Sequence, residues 1–214
     1  MSSRLARWIF CTIFPNLLWL STAQAQQRIN FSAGGGFTVP TGRLGNSLDT
    51  GWNVDLRGGY NFSPQFAADL DFTYTRSDLN SAALARFNEP GGSVGTWSLT
   101  FNPVIHFAGK HTPIRPYVTA GYGLYYRNLQ LTRPSTVNTI VCDPFFGFCS
   151  PATVGVNEVV FSNSTLRSGF NAGGGFEFGG YRHLKFFAEA RYHQMFTAHG
   201  RDYTYIPVTF GFRW

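Results

Sequence analysis

Residues 203–214 read Tyr-Thr-Tyr-Ile-Pro-Val-Thr-Phe-Gly-Phe-Arg-Trp. From Ile206 onward every even position is apolar, while the odd positions carry Pro, Thr, Gly and Arg. Alternation with a period of two is typical of a β-strand with one apolar face and one face of different character. The segment therefore predicts a strand, either of a transmembrane barrel or at the edge of a soluble sandwich.

The N-terminal region favours the first of these two structures. Arg4 and Arg7 precede a mostly apolar run over residues 8–20, and an Ala-Gln-Ala motif follows at 23–25. This is the pattern of a secretory signal peptide, and the run is too short and too interrupted to span a bilayer. We expect cleavage after Ala25, so that residues 1–25 are the signal peptide and residues 26–214 form one domain.

The composition also suits a protein that faces lipid. Charged residues make up 13% of the chain and aromatic residues 17%, whereas a soluble domain of average usage has about 25% charged residues. Without the signal peptide the net charge falls from +6 to about +4, and the excess basic residues are scattered rather than grouped in runs. We therefore expect no nucleic-acid partner. No remaining stretch is long and apolar enough for a transmembrane helix.

Seven further segments alternate as the last one does. Eight strands of about ten residues suit a tilted crossing of the hydrocarbon core, and an even number can close an antiparallel barrel without free edges. The predicted fold is all-β, an eight-stranded antiparallel transmembrane β-barrel. The predicted strands cover residues 29–39, 52–61, 66–75, 96–107, 117–127, 169–178, 185–196 and 203–214.

The predicted connections alternate between long and short. Short turns are expected at 61–65, 108–115 and 179–184, and longer loops at 40–51, 76–94, 132–167 and 197–202, with one helical turn at 82–86. The flanks of the 132–167 loop, such as residues 157–161, could extend the strands beyond the membrane. Short turns of such barrels face the periplasm, so both ends of the mature chain are expected there. Pro103 and Pro207 lack an N–H for the ladder and are each expected to mark a bulge or a strand end.

The chain as a whole resembles the small eight-stranded outer-membrane β-barrels of the OmpA/OmpX and opacity-porin type. The resemblance is carried by the signal peptide with its Ala-Gln-Ala motif, by the Asn-Ala-Gly-Gly-Gly-Phe segment at 171–176, and by the aromatic C-terminal strand. It implies location in the outer membrane of a Gram-negative-type bacterium, with outer-membrane lipids and the barrel assembly machinery as partners. Phe210, Phe212 and Trp214 would be the insertion signal that this machinery recognises. A soluble lipocalin-like barrel is the alternative, with the aromatic face inside and charged outer faces.

The charged residues of the predicted strands lie almost wholly opposite the aromatic face, and therefore in the lumen. An eight-stranded barrel is only wide enough for its own side chains. Five acids and five bases there favour a paired polar core over a conducting path, because each pair offsets the desolvation of its members. They are Asp55, Arg57, Asp69, Asp71, Arg127, Glu177, Lys185, Glu189, Arg191 and Arg213.

Catalysis is the less favoured alternative. Some barrels of this size modify lipid A, and His193 with Glu189 could activate a serine nucleophile. The deacylases of this kind, however, have Ser two positions after His on a lipid-facing surface, whereas His193 is followed by Gln194 and Met195 on the inward face. The glycine runs at 34–36 and 173–175 lack the context of phosphate loops. The histidines lack the spacing of metal ligands. From these three observations together we expect no enzymatic activity, no bound metal and no cofactor.

Two cysteines outside the signal peptide suggest one disulfide in an exported protein. Cys142 and Cys149 lie close together in the loop predicted at 132–167, and Phe145, Phe146 and Phe148 lie between them. These aromatics either form an exposed binding patch or fold over the barrel mouth. The leading hypothesis is a non-enzymatic barrel that acts in envelope integrity or adhesion, with a possible extracellular ligand at its long loops. A small channel for water or solutes comes second, and a lipid A-modifying enzyme third.

Overall fold

The computed structural model describes residues 28–107, 113–179, 184–197 and 203–214. Within them eight antiparallel strands follow one another around a closed ring, because β1 pairs both with β2 and with β8. The predicted fold class and strand number are thereby confirmed. The strands are β1 Ile29–Pro40, β2 Gly51–Asn61, β3 Phe66–Asp78, β4 Gly91–His106, β5 Ile114–Cys142, β6 Cys149–Phe178, β7 Lys185–Met195 and β8 Tyr203–Arg213.

Period-two alternation assigns the side chains to the two faces of the ring. In β8 the odd positions Tyr203 to Arg213 are buried in the lumen, while Phe210 and Phe212 are exposed on the outside. The other strands follow the same rule, and their aromatic and aliphatic residues form an outer belt. The lipocalin-like alternative is therefore wrong, since the aromatic face points outward and the charges point inward.

The two ends of the ring differ. One end, here called the turn end, holds the short connection between β2 and β3 and both ends of the described chain. There Arg28 and Asn61 share a backbone hydrogen bond, and so do Phe31 and Trp214. The opposite end is called the loop end. The signal peptide predicted at 1–25 lies outside the described residues, as do parts of the connections predicted at 108–115, 179–184 and 197–202.

A long β-hairpin occupies the region at 132–167. The irregular loop predicted there is wrong, whereas the strand extension expected at 157–161 is present in β6. β5 and β6 pair continuously from Ile114↔Phe178 to Cys142↔Cys149, with one shift of register at Leu131/Thr132. The neighbouring strands end earlier, because β4 reaches β5 only up to Thr132 and β7 reaches β6 only up to Gly169. Ten residue pairs at about 3.3 Å per residue carry the hairpin roughly 30 Å beyond the last β4 contact.

The loop predicted at 76–94 is also shorter than expected. β3 continues to Asp78, β4 begins at Gly91, and helix α1 (Ser81–Phe87) lies between them. Asn80 caps α1 by accepting a hydrogen bond from the Ala83 N–H at 2.9 Å, as N-caps commonly do. The predicted helical turn is thus a complete two-turn helix. Together with a 3₁₀ helix at Gly42–Asn46, it folds over the loop end.

Neither Pro103 nor Pro207 marks a bulge or a strand end. Pro103 lies inside β4 and pairs with Ala68, and Pro207 lies inside β8 and pairs with Thr38. On the opposite side of each proline the ladder skips two residues and then resumes in the same register. A missing N–H is therefore accommodated by one gap in the ladder. Among the described helices, none has the length and apolar character needed to cross a bilayer.

Candidate functional site

The middle of the lumen is filled by a buried network of carboxylates and guanidinium groups. Arg57 from β2 donates two hydrogen bonds of 2.8 Å to the carboxylate of Glu189 from β7, and its Nε donates to Asp55. Glu189 also accepts a 2.8 Å bond from the Tyr117 hydroxyl. A two-pronged Arg–carboxylate pair fixes geometry as well as charge. This pair therefore joins β2 to β7 across the ring.

Arg191 extends the network towards β3. Its Nη2 donates to Glu189 at 3.0 Å, and its Nη1 donates to Asp71. Asp71 accepts a further 2.9 Å bond from the amide of Asn102. The central network thus contains Asp55, Asp71 and Glu189 against Arg57 and Arg191, and every one of these side chains is almost wholly buried.

A second network surrounds Glu177 at the turn end. Glu177 is paired with Arg213 at 2.7 Å and with both Arg115 and Lys185 at 3.2 Å. Arg213 in addition reaches Asp69 at 2.8 Å. Glu177 and Asp69 together offset part of the cost of burying these cations, and Lys185 remains partly exposed.

Two members of this second network, Arg115 and His106, lie outside the set of lumen residues predicted from the sequence. The turn predicted at 108–115 includes Arg115, but β5 already begins at Ile114 and turns Arg115 into the lumen. His106 falls in the strand predicted at 96–107 and is buried with its Nε2 3.3 Å from Glu177. Arg115 lies two positions from the inward-facing Tyr117, and His106 lies two positions from the inward-facing Val104. Period-two alternation therefore indicates an inward position for both residues. With Arg115 the described part of the lumen holds six bases (Lys or Arg) against five acids.

The loop end of the lumen is closed by apolar side chains, here called the loop-end plug. α1 and the connections near it bring aliphatic residues onto inward-facing tyrosines of the barrel. Arg127, which was predicted to join the polar network, instead lies over the Tyr203 ring with its guanidinium carbon 5.4 Å from the ring centre. The buried members are Leu48, Leu79, Ala83, Val94, Tyr125, Leu131, Met195, Tyr203 and Tyr205.

Glycines make room for large side chains within the lumen. The Phe187 ring is completely buried, and a Cβ on Gly34 or Gly211 would come within 3.0 and 2.8 Å of it. A Cβ on Gly175 would lie 2.9 Å from the Tyr117 hydroxyl, the group that bonds Glu189. The glycine runs therefore serve close packing, as expected for barrel strands.

His193 does not have the surroundings of a catalytic base for serine. Its Nδ1 is 3.1 Å from the Tyr125 hydroxyl and its ring stacks on Tyr205 with centroids 5.0 Å apart. Ser164 and Ser168 occupy even-numbered positions of β6, which face outward, so they lie on the opposite face of the sheet from His193. Within the described chain, no three His, Cys, Asp or Glu side chains are grouped as metal ligands.

The hairpin ends in a compact loop, here called the hairpin tip (residues 143–148). Cys142 and Cys149 face each other across the last pair of the ladder and are joined as a disulfide. Above them the Asp143 N–H donates to the Phe148 carbonyl at 3.0 Å, and Asp143 Oδ1 accepts from the N–H groups of Phe145 and Phe146. The three phenylalanines are 89%, 75% and 68% exposed in sequence order. They do not fold over the barrel mouth.

The three residues expected to form the insertion signal lie together on the outer surface at the turn end. Phe210, Phe212 and Trp214 are all exposed. The Trp214 N–H donates to the Phe31 carbonyl at 2.9 Å, and the Phe31 N–H donates back at the same distance. The final residue therefore belongs to the seam between β1 and β8.

A closed ring with an apolar outer face and a charged lumen defines a barrel that crosses a membrane through its strands. The family model for the outer membrane protein beta-barrel domain matches residues 14–214, and the chain belongs to that family. No curated protein matches the sequence.

Two solved structures illustrate how widely this fold is shared. Neisserial surface protein A is 15% identical, with a TM-score of 0.57 over 86% of this chain and 95% of that one. A major outer membrane protein from Thermus thermophilus is 12% identical, with a TM-score of 0.52 over 87% of this chain and 98% of that one. At such identities the likeness concerns the fold alone. The family locates the protein in the outer membrane.

Proposed function

We propose that the protein is a non-enzymatic surface barrel that acts through the β5–β6 hairpin in adhesion or envelope integrity. The observation that carries this proposal is the contrast between a filled lumen and a hairpin that extends roughly 30 Å past its neighbours. Two charge networks and the loop-end plug fill the described part of the lumen with side chains, which argues against a route for solute. The hairpin, in contrast, presents backbone edges and exposed aromatic side chains to a partner.

The proposed topology puts the hairpin outside the cell and both mature chain ends in the periplasm, since the longer connections of outer-membrane barrels face outward. Export to an oxidising compartment would then allow the Cys142–Cys149 bond to form and persist. Protease added to intact cells should cut between residues 132 and 167. Cleavage only after the outer membrane is opened would reverse this topology.

The test of function is excision of the hairpin. Residues 134–157 would be replaced by an Asn-Gly turn, which suits the antiparallel pair Arg133↔Glu158 that it must close. We expect cells that carry this variant to lose adhesion or surface-dependent resistance to envelope stress, while heat-modifiable gel mobility shows a folded barrel. Unchanged adhesion and envelope integrity with a folded, excised barrel would contradict the proposal.

Assembly would depend on the C-terminal aromatic residue. We propose that Phe210, Phe212 and Trp214 are recognised during insertion by the barrel assembly machinery. Deleting Trp214 should impair assembly more than Trp214→Phe, because deletion removes both the aromatic ring and the backbone pair with Phe31. The folded fraction in the outer membrane, measured by gel mobility, checks this. Equal folding of the deletion variant and the parent would contradict the proposal that Trp214 is part of the insertion signal.

Passage of water is a second candidate, and one observation favours it. Both polar atoms of the Asn30 side chain are buried in the lumen without a hydrogen-bond partner in the described protein, beside Asp69 Oδ1 in the same condition. Such groups are normally satisfied by water. Osmotic swelling of proteoliposomes distinguishes a few trapped waters, which give no swelling above empty vesicles, from a continuous path.

A further inference from the structure

The apolar surface of the hairpin is concentrated at its far end. Phe145, Phe146 and Phe148 are exposed in the tip, and Ile140 and Val141 are exposed immediately below it. Between this end and the barrel the ribbon carries mainly Thr, Ser, Asn, Pro and scattered Val. The structure therefore presents an aromatic end on a more polar stem.

The tip holds its aromatic side chains in a fixed arrangement. The disulfide lies directly below it, and the Gly147 N–H donates to the Asp143 carbonyl at 3.0 Å. Gly147 has a φ of +73°, a conformation that L side chains rarely adopt. The rings of Phe146 and Phe148 stack with centroids 6.1 Å apart. Little conformational freedom remains to be lost when this end binds a partner.

The hairpin carries too little charge to attract an oppositely charged partner strongly. Asp143 is the one charged residue between positions 134 and 157. The first base below the tip on β5, Arg133, is paired with Glu89 at 2.8 Å. The tip is thus apolar and slightly negative, which disfavours recognition of anionic polymers or anionic headgroups.

The shape of the tip suits a fluid apolar phase better than a structured partner. The rings project from a turn, and a Cβ built on Gly147 meets no atom within 4 Å. A protein partner would need a preformed pocket for three projecting rings, whereas a bilayer accommodates them without one. Aromatic side chains are favoured at the boundary between headgroups and hydrocarbon. The stem carries the tip roughly 30 Å beyond the last β4 contact, whereas the headgroup layer of a typical bilayer is roughly 5–8 Å thick.

We propose that the hairpin tip inserts into the outer leaflet of a second, apposed bilayer and anchors it through Phe145, Phe146 and Phe148. This inference rests on the proposed surface function and names its partner as a lipid membrane. Insertion depends on apolar burial, so zwitterionic lipid suffices. Each phenylalanine contributes about tenfold to the partition, as expected for burial of a large aromatic side chain.

The test uses the full barrel in nanodiscs and separate, dye-labelled phosphatidylcholine vesicles. Flotation should carry the parent with the vesicles at low and at high salt. Phe145→Ser, Phe146→Ser and Phe148→Ser should each weaken flotation about tenfold, and the triple variant should abolish it. The matched control is Val137→Ser, Val154→Ser and Val156→Ser combined, which removes exposed apolar residues from the stem and should float as the parent does.

A spectroscopic readout reports insertion itself. With brominated lipid in the added vesicles alone, Phe145→Trp should show quenched tryptophan fluorescence, while the tryptophans of the parent, shielded in the nanodisc, should not. Equal flotation of the triple variant and the parent would overturn the inference, as would a requirement for anionic lipid that salt abolishes. Hairpin-dependent adhesion of cells without vesicle capture would also overturn it while leaving the proposed function intact. Absence of both hairpin-dependent adhesion and vesicle capture would reject the inference and the proposed function together.

Discussion

The same two strands, β5 and β6, behave differently inside the barrel and beyond it. Within the ring, β6 reads Gly-Phe-Asn-Ala-Gly-Gly-Gly-Phe-Glu-Phe over residues 169–178, and each side of it pairs with a neighbour. Beyond Thr132, β5 and β6 pair only with each other among the described strands, and their outer edges are open. One region satisfies its backbone through a closed sheet, and the other leaves backbone groups for water or a partner.

Charge separates the two regions as clearly as pairing does. The barrel buries carboxylates and guanidinium groups in two networks, whereas the ribbon from 134 to 157 has Asp143 alone. A buried ion network penalises any change to one member, because the partners stay buried and unpaired. An exposed ribbon tolerates changes, because water replaces lost contacts. In the proposed function the barrel is the anchor, which resists variation, and the hairpin is the binding element, which tolerates it.

The largest effect is expected for Arg57→Ala. The change leaves Asp55, Asp71 and Glu189 buried with Arg191 as the remaining central base, at a cost of about 3–5 kcal/mol. Arg57→Lys should lie between Ala and the parent, since an ammonium group cannot make the two-pronged contact with Glu189. Urea unfolding in lipid vesicles measures both. A loss under about 1 kcal/mol for the Ala variant would show that the lumen is not a tightly coupled network.

Removing the disulfide should have a smaller and local effect. Cys142→Ser with Cys149→Ser opens a loop with a sequence separation of 7, and a short loop restrains the unfolded chain less than a long one. The barrel should keep its unfolding midpoint, while hydrogen exchange of residues 140–151 should accelerate. Destabilisation of the whole barrel would mean that hairpin and barrel unfold as one unit.

The smallest effect is expected for Arg133→Ala, which makes the same substitution in the exposed region. Its partner Glu89 lies at 2.8 Å, but the Arg133 side chain is 57% exposed. Surface pairs contribute about 0–1 kcal/mol, and salt reduces this further. Unfolding in the urea assay used for Arg57 gives a direct contrast of one residue type in two surroundings. A loss equal to that of Arg57→Ala would remove the distinction between the regions.

The sequence predicts the barrel well because strand alternation is a local signal. Each strand between Ile29 and Arg213 reveals its faces through apolar and polar parity, and the structure follows that parity throughout the belt. The hairpin was missed because its residues are mostly small and polar, with cysteines and prolines that resemble a loop. Only pairing with a partner strand, which is a non-local event, makes Thr132 to Cys142 extended.

The lumen was predicted in composition but not in arrangement. Parity gives the inward position of Arg57 and Glu189, yet their contact depends on the register of strands that lie three positions apart in the ring. Arg115 was not predicted as a lumen residue because the predicted strand begins at 117, whereas β5 begins at Ile114. The loop-end plug could not be predicted from strand alternation, because Leu48, Leu79 and Ala83 come from connections whose path is set by packing.

Conductance of the purified parent in planar bilayers tests most directly the claim that the barrel is a sealed anchor. We predict no sustained current steps, because the charge networks around Glu189 and Glu177 and the loop-end plug fill the described part of the lumen. Sustained steps in the parent that disappear or change size in Arg57→Ala or Glu189→Ala would contradict the account. Such currents would mean that the lumen is the working part of the molecule.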